Sequence, residues 1–267
     1  MRLAWAFFKR DATIAVSYRA SFIVQLLGNL LILGVFYYIG KTIGTHEIAA
    51  LAPYGGNFLA FLLIGIALTD CVGVSLTIFA NQIREGQLTG TLEATLMSPV
   101  RLPVILIYSS LWGYSFSAFR FLLYLVLGTV FYDVHMAKAN ILSALVIFLL
   151  TVLCFMGLGI LWASVVMLVK RGEAILTTIG FLVVLLSGVL FPRTVLPGWL
   201  QQLAGLIPLT HALEGMRLAL LRGYSLSDLA PITGMLAGFA TVLLVVGLVC
   251  FNQAVRIAKH TGSLTQY

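Results

Sequence analysis

The sequence predicts an all-α membrane protein, with six transmembrane helices in a single domain over residues 1–267. Three observations predict it. Hydrophobic residues make up 61% of the chain and charged ones only 9%, against roughly 45–50% and about 25% in an ordinary soluble domain. The apolar residues form long runs over the whole length, giving a mean hydropathy of +1.06, which excludes a soluble enzyme carrying one anchor and leaves no separate soluble domain. The basic residues behind the net charge of +7 sit in short stretches between those runs. There they read as topology signals for a lipid bilayer, and no nucleic-acid partner is expected.

The first element, residues 2–19, reads as a helix lying in the membrane interface. At 100° per residue Arg2, Lys9, Arg10, Thr13 and Ser17 fall on one arc and Trp5, Phe8, Ala12 and Ala15 on another. Asp11 and Arg19 break the pattern, and the competing reading is a solvated tail. Lys9, Arg10 and Asp11 also interrupt the first apolar residues, so a cleavable signal peptide is not expected.

Crossing a hydrocarbon core of roughly 30 Å takes about 20 apolar residues, and the runs at about 22–39, 57–80, 103–131, 140–168, 174–191 and 231–251 qualify. An even number of spans puts both termini on one side. That side carries ten Lys and Arg residues and the other five (Lys41, Lys138, Arg193, Arg217 and Arg222), so the termini are expected in the cytoplasm. The sixteenth basic residue, Arg120, falls inside a span.

Two segments outside the spans carry further information. In the cytoplasmic loop QIREGQLTGTLEATLMSPVRLP, from Gln82 to Pro103, Thr89 or Thr91 caps a short helix, Glu93 lies in its first turn and Pro99 ends it. Leu88, Leu92 and Leu96 recur every four residues beside Glu85 and Glu93. A ridge of this kind suits either a partner's groove or the lipid headgroups. Between spans five and six, Pro197 and Gly198 open a helix whose Trp199, Leu200, Leu203 and Leu206 share a face, and Pro208 opens another ending at Arg222-Gly223. Leu209, Leu213, Met216 and Leu220 line one side of the second, with His211, Glu214 and Arg217 on the other. Too polar for a crossing and too apolar for a plain loop, this pair is expected to re-enter the outer membrane edge.

Within the spans, Asp70 and Arg120 lie roughly 16 and 25 Å from the cytoplasmic ends of their helices at 1.5 Å per residue, an offset a long Arg largely covers. A structural ion pair is the leading reading, with a substrate or proton site the alternative. Tyr108, Trp112, Ser115 and Phe119 share a face of span three, where they either line a route or pack against neighbours. Gly234 and Gly238 form a GxxxG in span six that either draws helices together within one subunit or between two. Cys71, Cys154 and Cys250 lie in apolar runs without CxxC spacing, and His46, His135 and His211 sit in separate segments, so no metal site is expected.

The basic interfacial helix, the six spans, the run EGQLTGTLEATLMSPV from Glu85 to Val100 and the run LPGWLQQLAGLIPLTHALEGMRLALLRG from Leu196 to Gly223 together resemble the ABC-2 type permeases, membrane subunits of bacterial ATP-driven exporters. The resemblance covers nearly the whole chain, as one ABC-2 type transmembrane domain. It implies a multi-pass protein of the bacterial inner membrane in which two permease copies pair, each on a separate subunit that binds ATP and magnesium. It also implies that Glu85, Leu88, Leu92, Glu93, Leu96 and Pro99 form the helix coupled to that ATPase, and that 196–223 caps the route. Drugs, lipids and lipid-linked glycans are among the substrates of such exporters, and the apolar, aromatic composition leans towards an amphipathic one.

The residues support this independently. The one GKT, Gly40 to Thr42, has Val35 where a phosphate-binding loop GxxxxGK[ST] needs glycine, so no catalytic residues are expected here and hydrolysis belongs to a partner. Six helices enclose little space, so a route for a large substrate forms most naturally between two copies. An ion- or proton-coupled secondary transporter or channel using Asp70 and Arg120 is the competing function, but no repeat between 1–131 and 140–267 favours it. A lipid enzyme would need a carboxylate cluster or an activated nucleophile, and the acidic residues are scattered singly.

Overall fold

The computed structural model describes residues 2–17, 49–90, 102–131, 138–168 and 173–261, with positions 24, 27, 28, 31, 32, 34–39, 41 and 134. Among the described residues there is helix but no strand. The principal helices are α1 (Arg2–Ser17), α2 (Phe58–Leu88), α3 (Leu102–Phe131), α4 (Ile141–Leu168), α5 (Glu173–Leu186), α6 (Gly198–Gly205), α7 (Pro208–Arg217) and α8 (Ala230–Thr261).

Four of them, α2, α3, α4 and α8, are long and apolar enough to cross a membrane. Their starts and ends are built from local chemistry. The Asn57 side chain accepts from the Ala60 N–H at 3.0 Å and so caps α2. Asn140 does the same for the Ser143 N–H of α4 at 3.1 Å. With 31 residues, α2 is about 46 Å long, well beyond a hydrocarbon core of roughly 30 Å, and it runs on to Leu88 instead of stopping near 80.

Two expectations change at the ends of these helices. Thr89 closes α2, its hydroxyl donating to Glu85 O at 2.7 Å, and so does not open a separate helix. Glu85 and Leu88 therefore belong to the last turn of α2, with the Leu88 side chain exposed; Leu92, Glu93, Leu96 and Pro99 lie outside the described residues. The apolar run expected as span five, 174–191, is helical only through Leu186, 14 residues or about 21 Å. Gly188 turns the chain away with φ +80°, a left-handed conformation that glycine adopts without steric penalty. The run expected as span one is described only at scattered helical positions between 24 and 41.

The helices pack in the order α1, α3, α2, α4, α8, with α7 set against α2, α4 and α8 at the end far from α1. Close backbone approach puts α4 between its neighbours. A Cβ on Gly159 would lie 2.2 Å from Ser75 O of α2, and one on Gly157 would lie 2.5 Å from the Leu243 carbonyl carbon of α8. Removing the side chain at such a contact lets dispersion act between backbones, the main attraction available between helices in lipid. The GxxxG of α8 is not the device: Gly234 and Gly238 have no described atom within 4 Å of a Cβ position. One core cluster, around Leu68, Ile147, Phe155, Leu213 and Met216, fills the far half of the bundle. Another, around Phe79, Ile83, Ile160 and Phe251, fills the half near α1.

Candidate functional site

Three places collect the polar and aromatic residues of the bundle. The first is the interface between α2 and α3. Arg120 Nη2 lies 3.1 Å from Asp70 Oδ2, the arginine side chain being 4% exposed and the aspartate 24%. The guanidinium sits 5.2 Å from the centroid of the Phe116 ring, a cation–π contact that adds to the pair. Buried Ser110, Ser117 and Tyr124 recur on one side of α3 at a seven-residue spacing. This polar seam is readable in the sequence as that recurrence.

The aromatic strip of α3 occupies another face. Trp112 stacks on Phe116, and Phe116 on Phe119, at 6.3 and 6.2 Å between centroids. Nearer the start of α3, Phe7 meets Tyr108 at 6.4 Å and Phe8 meets Trp112 at 5.4 Å. The amphipathic helix α1 is therefore docked by its aromatic face onto α3, with Trp5, Lys9 and Arg10 left exposed. Ser115 returns its hydroxyl to Leu111 O at 2.9 Å, and Phe119 is exposed. The small residues Ser110, Gly113 and Ser117 fit against α2, which turns the bulky strip away from the core.

The second place is the far-end cap made by α6, α7 and their flanks. Both sides of α7 are buried, including the side expected to be polar. Its polar groups find partners within the cap. His211 Nε2 lies 2.8 Å from Gly205 O while its ring stacks on Phe239 at 6.0 Å. Glu214 meets Arg193 at 3.7 Å. Pro208 opens α7, where a missing N–H leaves nothing unsatisfied, and Trp199 stays exposed on α6. After Arg217 the helix widens into a π turn, Leu218–Arg222, closed by Gly223 at φ +74°. Ala219 O accepts from Asn140 N at 2.9 Å, joining this turn to the start of α4.

Arg217 is the centre of the cap and only 3% exposed. Its Nη1 donates to Gly188 O at 2.9 Å, its Nη2 to Phe61 O and Val189 O at 3.1 Å each, and its Nε to Phe61 O at 3.2 Å. The guanidinium carbon lies 3.3 Å from the centroid of the Phe61 ring. Burial lowers its pKa to about 9, with Tyr54 and Glu214 opposing the shift, so the group remains charged at neutral pH. Arg222 likewise donates to Pro53 O at 3.0 Å and to Ala52 O. The sequence places Arg217 on the polar side of the second short helix and Arg222 at its end; their targets are backbone carbonyls, which no residue pattern displays.

The third place, where α2 ends at Leu88, leads into the Leu92 to Pro99 segment outside the described residues. Among the described residues no group of three His, Cys, Asp or Glu side chains is placed to hold a metal; His46 and His135 lie outside them.

Long apolar helices, a buried intramembrane ion pair, an amphipathic flanking helix and a tightly bonded helical cap define a multi-pass membrane protein of transport type. The chain matches the family described as ABC-2 type transporter over residues 1–221, and it belongs to that family. It is thus the permease of an ABC-type transporter, a transport subunit. No match is found among curated proteins.

Proposed function

We propose that this chain is the membrane-spanning permease subunit of an ATP-driven exporter of the bacterial inner membrane. Two copies pair, each resting on a separate subunit that binds ATP and magnesium, and an amphipathic substrate such as a drug, lipid or lipid-linked glycan moves outward between them. The family match over residues 1–221 carries this reading, since permeases of that family normally work with an ATP-binding subunit. It favours ATP over an ion gradient as the energy source. The whole of 1–267 acts as one transmembrane domain, with residues 22–39 and the shorter α5 as the remaining two spans and α6 and α7 re-entering at the outer face.

The charge distribution supports an inside location for both termini. Of the five basic residues on the opposite side, Arg217 and Arg222 donate to backbone carbonyls within the cap and Arg193 meets Glu214. Few free cations then oppose the ten on the side of the termini, which sharpens the asymmetry that orients a membrane protein. Coupling to the ATPase runs through Glu85 to Pro99, which continues directly from the end of α2.

Co-expression of the tagged chain with candidate ATP-binding subunits from the same genome tests the reading. The wild type is expected to bring down the ATPase. Leu92→Asp should release it, because an unpaired charge in a docking groove disrupts the interface by a few kcal/mol, whereas Glu93→Lys should weaken the helix and leave its leucine ridge in place. Unchanged docking and hydrolysis in both variants would show that this loop merely lies on the membrane. Thiol labelling of Gly262→Cys and Ser98→Cys only from the cytoplasm, and of Tyr224→Cys, exposed beside Gly223 where a side chain would be strained, only from outside, is the expected topology; labelling of position 262 from outside would overturn it.

A further inference from the structure

Arg217 holds backbone instead of side chains, and it holds two separate elements at once. Its fork reaches Phe61 O in the first turn of α2 and the Gly188 and Val189 carbonyls just past the end of α5. A planar guanidinium has a fixed donor geometry, so multiple bonds define position and angle in a way that a flexible ammonium does not. The site is shaped for the fork. A Cβ on Gly65 would lie 2.9 Å from Arg217 Nη2 and 2.7 Å from Val189 O, so a larger residue there would push the clamp apart. The α2 element gripped in this way is an unbroken helix of 31 residues, and its other end is Leu88, where the coupling segment begins.

We propose that Arg217 is a positioning residue that keys the outer helix pair α6 and α7 to α2, so that a displacement of α2 begun at its coupling end is carried to the cap. The inference rests on the exporter reading above. A rigid helix conveys displacement along its axis only to elements fixed to its backbone; two hydrogen bonds from Arg217 to Phe61 O supply that fixing at the far end, and its other two tie in Gly188 and Val189. Phe61, fully buried beneath the guanidinium, keeps water from competing for the carbonyls. Cap and coupling segment thereby become two ends of one lever.

The test uses the chain in complex with its ATPase, reconstituted in vesicles. Gln202, exposed on α6, is replaced by cysteine in a background lacking Cys71, Cys154 and Cys250, and labelled with a membrane-impermeant thiol reagent with and without ATP and magnesium. The wild type should show a nucleotide-dependent change in labelling rate of at least about threefold. In Arg217→Lys, whose single ammonium cannot reach all three carbonyls, and in Gly65→Ala, which keeps the charge but displaces the fork, the change should fall to about onefold while hydrolysis stays within about twofold. A merely structural arginine would alter labelling equally with and without nucleotide, so a nucleotide response that persists in both variants overturns the proposal. So does a wild-type complex that hydrolyses ATP without any change at position 202. Failure of the wild type to retain an ATPase would instead overturn the exporter reading itself.

Discussion

Among the described residues the bundle buries two arginines and satisfies them in opposite ways. Arg120, midway along α3, faces the carboxylate of Asp70 across one helix interface, and its Nε makes no hydrogen bond among the described residues. Arg217, at the far end, has no carboxylate in its grip and gives Nε, Nη1 and Nη2 to carbonyls of two elements. A charge pair joins two side chains and tolerates sliding, since each partner can follow the other through its rotamers. A fork on backbone carbonyls fixes the frame itself. The difference shows what each region is built for: the seam between α2 and α3 neutralises a charge inside the apolar layer, while the cap locks several chain ends into one unit.

The largest expected effect is at Arg217. Replacing it with methionine leaves three buried carbonyls without their donors, and the loss of stability should reach about 3–5 kcal/mol in denaturation from detergent. An effect below about 1 kcal/mol would mean that water or another group replaces the fork.

The two halves of the other pair should respond unequally. Asp70→Asn strands a buried guanidinium that stays charged and should destabilise by about 3 kcal/mol, whereas Arg120→Met leaves a carboxyl that can take up a proton and become neutral, and should amount to about half as much. Equal effects would indicate that the carboxylate stays ionised without its partner. The same denaturation series measures both.

The smallest effect is outside the bundle, at the start of α8. Ser225 donates from its N–H and hydroxyl to Asp228 Oδ2 at 2.9 and 2.6 Å, and these bonds hold the exposed carboxyl below its usual pKa. A depressed carboxylate contributes stability above the unfolded-state value of about 4 and loses it as pH falls through the lowered folded value. The difference in thermal midpoint between the wild type and Asp228→Ala should therefore be present at neutral pH and vanish below about pH 3. A difference that persists in acid would assign the effect to packing.

Much of this architecture was legible in the residues because helix ends carry their own chemistry. Expected starts near 103 and 140 stand beside observed starts at Leu102 and Ile141. The pair of short helices begins at Gly198 and Pro208 and ends at Gly223, as their glycines and prolines indicate. The Asp70 and Arg120 contact follows from helical rise and side-chain reach. Hydropathy stopped α2 near residue 80 because Gln82, Arg84, Glu85 and Gln87 are polar, although nothing in them breaks a helix outside the apolar layer. It carried the fifth run to 191 because Val189 and Leu190 are as apolar as the helix before them, and the Ser187-Gly188 turn was the signal passed over. The buried face of α3 follows a related rule: in close helix packing small residues select the interface, and large aromatics mark what is left outside. Arg217 shows where the limit lies, since acceptors supplied by the main chain 28 to 156 residues away carry no side-chain signature.

Paired double-mutant cycles on stability test most directly the claim that these two arginines are held by different means. One cycle combines Asp70→Asn with Arg120→Gln; the other combines Glu214→Gln with Arg217→Gln. A coupling of about 1–3 kcal/mol is expected in the first, where one side chain answers the other, and a smaller one, below about 0.5 kcal/mol, in the second, where Glu214 acts only through its field and the bonded partners are carbonyls that no side-chain change removes. Coupling of similar size in both, or strict additivity for Asp70 and Arg120, would contradict it.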